Sequence, residues 1–174
     1  MDEILRKTEL FTGLADADVT RILGIGSPKL LRAGEYLFLL GDGADALFVV
    51  RSGRIDLCFP FSFRGSMRDI AFESKRPGSA LGWSALVAPY RFTLSARAAE
   101  ASEVVGFARP ALLEIFEAEP RIGYVFHRRL AELIGHRHLN VQALWARELQ
   151  RAVAEGRGAR VGDKPEDSPA PASR

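Results

Sequence analysis

The stretch Gly41-Asp42-Gly43-Ala44-Asp45-Ala46-Leu47-Phe48-Val49-Val50-Arg51-Ser52-Gly53-Arg54-Ile55 sets a β-branched and aromatic run between glycine-bearing turns. Residues 46–51 read as a strand, and Gly53 as the turn into the next one. The same texture continues outward from about Lys29 to Ala108, where residues 36–40, 46–51 and 54–63 are the clearest runs. Many short strands broken by glycine predict a barrel or sandwich. In the last run Ile55, Leu57, Phe59, Phe61 and Phe63 alternate with Asp56, Cys58, Pro60 and Ser62, the pattern of a half-buried strand. Pro60 has no N–H for a ladder, which places it at an edge or a bulge. Arg64-Gly65-Ser66 turns the chain into a partner strand near residues 68–73.

Helical periodicity flanks this region. Val19, Ile22 and Leu23 define a short leading helix with Asp16 as its N-cap, ended by the stretch 24–28. After Arg109-Pro110, residues 111–118 form one helix and Pro120 opens a second, long one. Ile122, Phe126, Leu130, Leu133, Val141 and Leu144 make a stripe reaching toward Leu149, interrupted by Arg137 and longer than a small barrel needs for its own cover. A homodimer through this helix is therefore expected. From Gly156 onward Val161 is the only large aliphatic, so a disordered tail is expected there. The chain thus divides into a helical lead-in at 1–28, a β-barrel at 29–108, C-terminal helices for dimerisation at 109–155 and a tail at 156–174.

Bulk properties narrow the classes. A chain of 174 residues, 47% hydrophobic and 26% charged with 11 Phe, suits one soluble domain with a filled core. Lys and Arg number 24 against 22 Asp and Glu, a balance that does not by itself call for nucleic acid. Cys58 is the single cysteine, which removes disulfides and cysteine-based zinc clusters and suits a reducing compartment. The N-terminus carries neither a signal peptide nor a membrane span, so a cytoplasmic protein with no membrane partner is expected.

The barrel segment resembles the cyclic-nucleotide-binding domain family, the sensor half of catabolite-activator-type regulators and kinase regulatory subunits. The resemblance rests on Leu10-Phe11-Thr12-Gly13-Leu14, on Ala33-Gly34-Glu35, on the stretch quoted above, and on glycines at 34, 41, 53, 78 and 82. It implies a mainly β fold with α: a double-stranded β-helix barrel of the jelly-roll, cupin-like kind, with a short N-terminal and a long C-terminal helix. The family's phosphate-binding cassette, Gly-Glu-x-Ala/Ser-Leu followed by Arg-x-Ala-Thr, corresponds here to Gly82-Trp83-Ser84-Ala85-Leu86 and the residues up to Ala96.

Gly82, Ala85 and Leu86 fit that cassette, and backbone N–H groups near Ser84 and Ala85 could cradle an anion. Trp83, however, stands where the family uses Glu for the ribose, and an indole has no acceptor. Counted without a gap, Phe92 stands at the phosphate-binding Arg, and Arg91 serves only after a one-residue register shift. Trp83 and Phe92 are read either as core aromatics or as the lining of a site for another ligand. Thr93 and Ser95, alternating on one strand face, are either phosphate donors or ordinary strand residues.

Three functional readings follow: a sensor with weak or altered nucleotide binding, a scaffold with no small-molecule ligand, and a genuine cyclic-nucleotide sensor using Arg91. No resident cofactor is expected beyond a possible cyclic nucleotide or other small-molecule ligand, and a partner protein is allowed. A cupin metalloenzyme would place several His in the barrel, but His127, His136 and His138 all fall on the C-terminal helix. No catalytic or metal residues are assigned. The basic residues Arg128, Arg129 and Arg137 are interspersed with acids such as Glu132, and no helix-turn-helix pattern follows, so direct DNA binding is not expected.

Overall fold

The computed structural model describes residues 3–63 and 65–155, without the side chains of Phe63 and Met67. The expected tail at 156–174 lies outside the described residues. By its contacts the chain forms two units, Met1–Leu133 and Ile134–Arg174.

The first unit opens with α1 (Glu3–Arg6), a 3-10 turn (Glu9–Phe11) and α2 (Asp16–Gly24). The N-cap of α2 is Ala15 rather than Asp16: the Asp18 carboxylate accepts the Ala15 N–H at 3.3 Å, doing from within the helix what a capping side chain does from outside. Eight strands follow: β1 (Ser27–Leu31), β2 (Tyr36–Phe38), β3 (Ala46–Ser52), β4 (Ile55–Phe63), β5 (Ser66–Lys75), β6 (Ala80–Leu81), β7 (Ser95–Ala98) and β8 (Ser102–Ala108). They pair antiparallel in two four-stranded sheets ordered β1-β8-β3-β6 and β2-β7-β4-β5, the jelly-roll arrangement. The predicted strand at 36–40 stops at Phe38 because Leu39 N–H turns back onto the Asp42 carboxylate at 3.1 Å.

Leu31, Leu37, Val50, Ile55, Leu57, Leu81, Ala96 and Val104 fill the space between the sheets. Each large aliphatic buried here contributes about 1.5–3 kcal/mol. Gly34, Gly41, Gly53, Gly78 and Gly82 all adopt positive φ, as their turn positions require.

The hairpin β4–β5 departs from the half-buried expectation. Ile55 and Leu57 are buried, but Phe59 and Phe61 are 44% and 55% exposed. The reason is topological: β7 accompanies β4 only from Ile55 to Cys58, so the outer part of the hairpin has no second neighbour. Pro60 sits in this single-neighbour part, at an edge as its missing N–H demands, while the register irregularity falls at Leu57/Cys58.

α3 (Arg109–Ala118) follows β8 directly, with Pro110 in its first turn, and α4 (Pro120–Ala154) runs beyond it. The rings of Phe11, Phe107, Phe116 and Phe126 form a second cluster, with centroids 5.0–6.4 Å apart, joining the lead-in, β8, α3 and the start of α4. Ile122, Phe126 and Leu130 are buried within this first unit. The stripe expected to serve a partner is therefore already used at its N-terminal end. The Arg129 guanidinium bonds the Thr12 carbonyl at 3.0 Å and the Glu132 carboxylate at 2.6 Å, with Arg128 at 4.0 Å from the same acid.

The described part of the second unit is the remainder of α4 and Glu155. Among the described residues no helix is long and apolar enough to cross a membrane.

Candidate functional site

Gly82, with φ +77°, caps the 3-10 turn Trp83–Leu86 that follows β6. The left-handed φ favours glycine, and a Cβ would crowd the Ala46 carbonyl oxygen at 3.2 Å and the Phe48 and Phe92 rings at 3.3 Å. The turn buries Ser84 and Ala85 and leaves Trp83 half-buried. Trp83 is thus at the margin of the core rather than its plug. The Ala85 N–H donates to the Gly82 carbonyl at 3.0 Å, which removes it from the anion cradle expected near Ser84 and Ala85.

The loop beyond is zipped to the segment after β2. Gly41 N–H donates to the Phe92 carbonyl at 2.8 Å, Phe92 N–H to the Asp42 carbonyl at 3.0 Å, and Ala44 N–H to the Tyr90 carbonyl at 2.8 Å. Gly43 and Arg91 pair as a single bridge. These bonds fix which neighbour faces inward. Phe92 is buried, whereas Arg91 is exposed and donates to the Gly41 carbonyl at 2.9 Å. Inside, Phe92 stacks on Phe38, which in turn lies 5.9 Å from Phe48.

Thr93 and Ser95 do not share a strand face. β7 begins only at Ser95, so Thr93 stands exposed in the preceding bend, while Ser95 is buried with its hydroxyl accepting the Leu40 N–H at 3.0 Å. The predicted residues therefore separate into an inner set, Gly82, Ser84, Ala85, Phe92 and Ser95, and an outer set, Arg91 and Thr93; Trp83 and Leu86 are half-buried between them.

Sequence reasoning missed two features. Phe38 and Phe48 complete the aromatic stack, and their positions in short apolar strands were the available signal. Arg109, at the head of α3, lies over the Tyr90 ring at 4.5 Å and 3.7 Å from the Asp45 carboxylate. Tyr90 itself holds φ +57°, unusual for a side chain of its size. Nothing in the local sequence announces this contact, which joins three separate segments.

Of metal chemistry, the described residues bring no three His, Cys, Asp or Glu side chains together. His127 is exposed, within 2.8 Å of the Gly123 carbonyl through Nδ1. Cys58 is fully buried, and burial pushes its thiol pKa above the ordinary value.

Two four-stranded antiparallel sheets, a glycine-capped turn after the sixth strand and helices after the eighth make this a jelly roll of the regulatory-domain class. Within that class the chain belongs to the cyclic nucleotide-binding domain family, whose pattern it matches over residues 28–119. It is 27% identical over 150 residues to the cyclic AMP receptor protein of Thermus thermophilus, covering 86% of this chain and 68% of that one. The crystal structure of the Thermus thermophilus catabolite activator protein superposes with a TM-score of 0.64 at 25% identity, covering 86% of this chain and 72% of that one. The N-terminal domain of a transcriptional regulator from Streptomyces coelicolor A3(2) shares the fold at a TM-score of 0.67 and 23% identity, with 78% and 95% covered.

Proposed function

We propose that this chain is a regulatory sensor domain, not an enzyme, that binds cyclic AMP and cyclic GMP weakly or not at all. The observation that carries this reading is Phe92, stacked on Phe38 inside the barrel at the place of the family's phosphate-binding arginine, with Arg91 bonded outside to Gly41. Losing the cationic partner of a buried phosphate costs about 2–5 kcal/mol, and losing a charged hydrogen bond to the ribose, here by Trp83, about 1.5–3. Even partial addition weakens a micromolar site hundreds-fold, to roughly millimolar.

A barrel filled by its own rings also favours a second reading, a scaffold that docks or dimerises without a ligand. In either reading the chain is cytoplasmic, does not read DNA by itself, and forms a homodimer through the outer part of α4, with a partner protein as its downstream target.

Titration calorimetry tests both. A cyclic AMP dissociation constant below about 10 μM, abolished by Arg91→Ala, would overturn the proposal and restore an ordinary sensor. Trp83→Glu combined with Phe92→Arg is expected to create measurable binding if those side chains alone block the ligand. Absence of binding by both forms favours the scaffold.

A further inference from the structure

At 10 residues β5 is the longest described strand, and among the described residues it pairs with β4 alone, at the end of its sheet. Its far side therefore carries backbone N–H and C=O groups that no strand receives. Phe72, which has no opposite residue on β4, makes a bulge that interrupts the inner part of this edge. Beyond it, residues 66–71 contain neither the proline nor the lysine that commonly blunts an open edge. The side chains beside this stretch are apolar with one charge. Phe59 stands opposite Ile70 and Phe61 opposite Arg68, so these four share a face, the outward continuation of the one that buries Ile55 and Leu57. Ile70 is 53% exposed, and the exposed rings of Phe59 and Phe61 lie 6.0 Å apart. Arg68 is exposed and has no hydrogen-bond or ion-pair partner among the described residues. The acids of β5 are engaged: Asp69 accepts the Tyr36 phenol, and Glu73 lies 2.6 Å from the Lys75 ammonium.

We propose that residues 66–71 of β5 receive an extended segment of a partner protein as an added strand, with apolar side chains over Phe59, Phe61 and Ile70 and a carboxylate facing Arg68. A strand is the occupant because an extended backbone is what pairs a row of N–H and C=O groups. A lipid surface leaves that row unsatisfied, since open sheet edges do not enter hydrocarbon. A second copy paired β5 to β5 brings another Arg68 and acids that are already engaged, so the guanidinium gains no carboxylate. The segment 156–174 carries acids, but Pro165, Pro169 and Pro171 remove N–H groups that a strand needs. The inference gives the partner protein named above a surface and a chemistry. It is independent of the choice between sensor and scaffold, which calorimetry with cyclic AMP decides without bearing on this edge.

The test is fluorescence anisotropy of the full chain with a labelled synthetic peptide that alternates Val with Thr and carries one central Glu. Saturable binding with a dissociation constant of about 10–300 μM is expected. Arg68→Glu is expected to weaken it at least about tenfold and to shift the preference to the same peptide with Lys for Glu. Phe61→Ser should weaken both peptides alike, and neither change should move the melting temperature, because both side chains are exposed. N-methylation of alternate peptide amides should abolish binding in one phase and spare it in the other, the signature of an added strand. No binding of the Glu peptide at about 1 mM, equal binding of the Glu and Lys peptides, or equal binding of the two methylated phases overturns the proposal. Binding to phosphatidylserine vesicles but not to the peptide overturns it in favour of a lipid surface. A dimer that Arg68→Glu or Phe61→Ser dissociates, in a chain that ignores the peptide, overturns it in favour of a second copy.

Discussion

The ring of Phe92 lies flat against that of Phe38, centroids 3.7 Å apart and planes 8° from parallel, in the interior of the barrel. Phe92 is thereby built into the hydrophobic core of the barrel. Phe92→Ala is expected to lower the unfolding free energy by about 3–5 kcal/mol, measured by urea denaturation, because it leaves a cavity between Phe38 and the turn at Gly82. A loss below about 1 kcal/mol would mean that the stack contributes little.

Gly53 presents a sharper backbone constraint. At φ +79° its Cβ would lie 2.3 Å from Ser102 Oγ and 2.6 Å from the Ala101 carbonyl oxygen. The same Ser102 hydroxyl accepts the Arg54 N–H at 3.0 Å, so it cannot simply swing aside. Gly53→Ala is expected to cost at least about 3 kcal/mol, the left-handed penalty of about 1–2 kcal/mol plus displaced backbone. Gly34→Ala has the same sign of φ but open space around it, and should cost only the first part.

Cys58 should be chemically silent in the folded protein. Burial in β4 raises its thiol pKa from 9.0, and Sγ faces the Asp56 carbonyl at 3.6 Å. At pH 8, reaction with a disulfide reagent such as Ellman's is expected to be at least a hundred-fold slower than in urea. Prompt labelling without denaturant would show that the barrel opens at this strand.

Tyr36 links stability to alkaline pH. Its phenol donates to the Asp69 carboxylate, and this hydrogen bond, followed by burial, raises its pKa above 10.0. A folded-state pKa above the unfolded one gives stability that is complete below about pH 10 and is lost as pH rises through the raised value. The denaturation midpoint of the native chain should therefore fall more steeply above pH 10 than that of Tyr36→Phe. Parallel profiles would remove Tyr36 from the account.

The strands at 46–52 and 55–63 were legible because glycine punctuation and two-residue alternation are local signals. Alternation also identified the face of β4 that carries Ile55 and Leu57, yet it said nothing of where cover ends. Phe59 and Phe61 repeat the same pattern without a partner strand beside them. Helical periodicity likewise found α4 but not the division of its apolar residues, Phe126 and Leu130 going to the barrel unit and Trp145 and Leu149 to solvent.

Residue type and spacing alone carry the family and the glycine turns. Which of Arg91 and Phe92 faces inward is settled instead by long-range pairing. Neighbours on an extended chain point to opposite sides, and their register is set by the partner that hydrogen-bonds them. Here that partner is the segment from Gly41 to Ala44, some fifty residues away, whose bonds to Tyr90 and Phe92 turn the guanidinium out and the ring in.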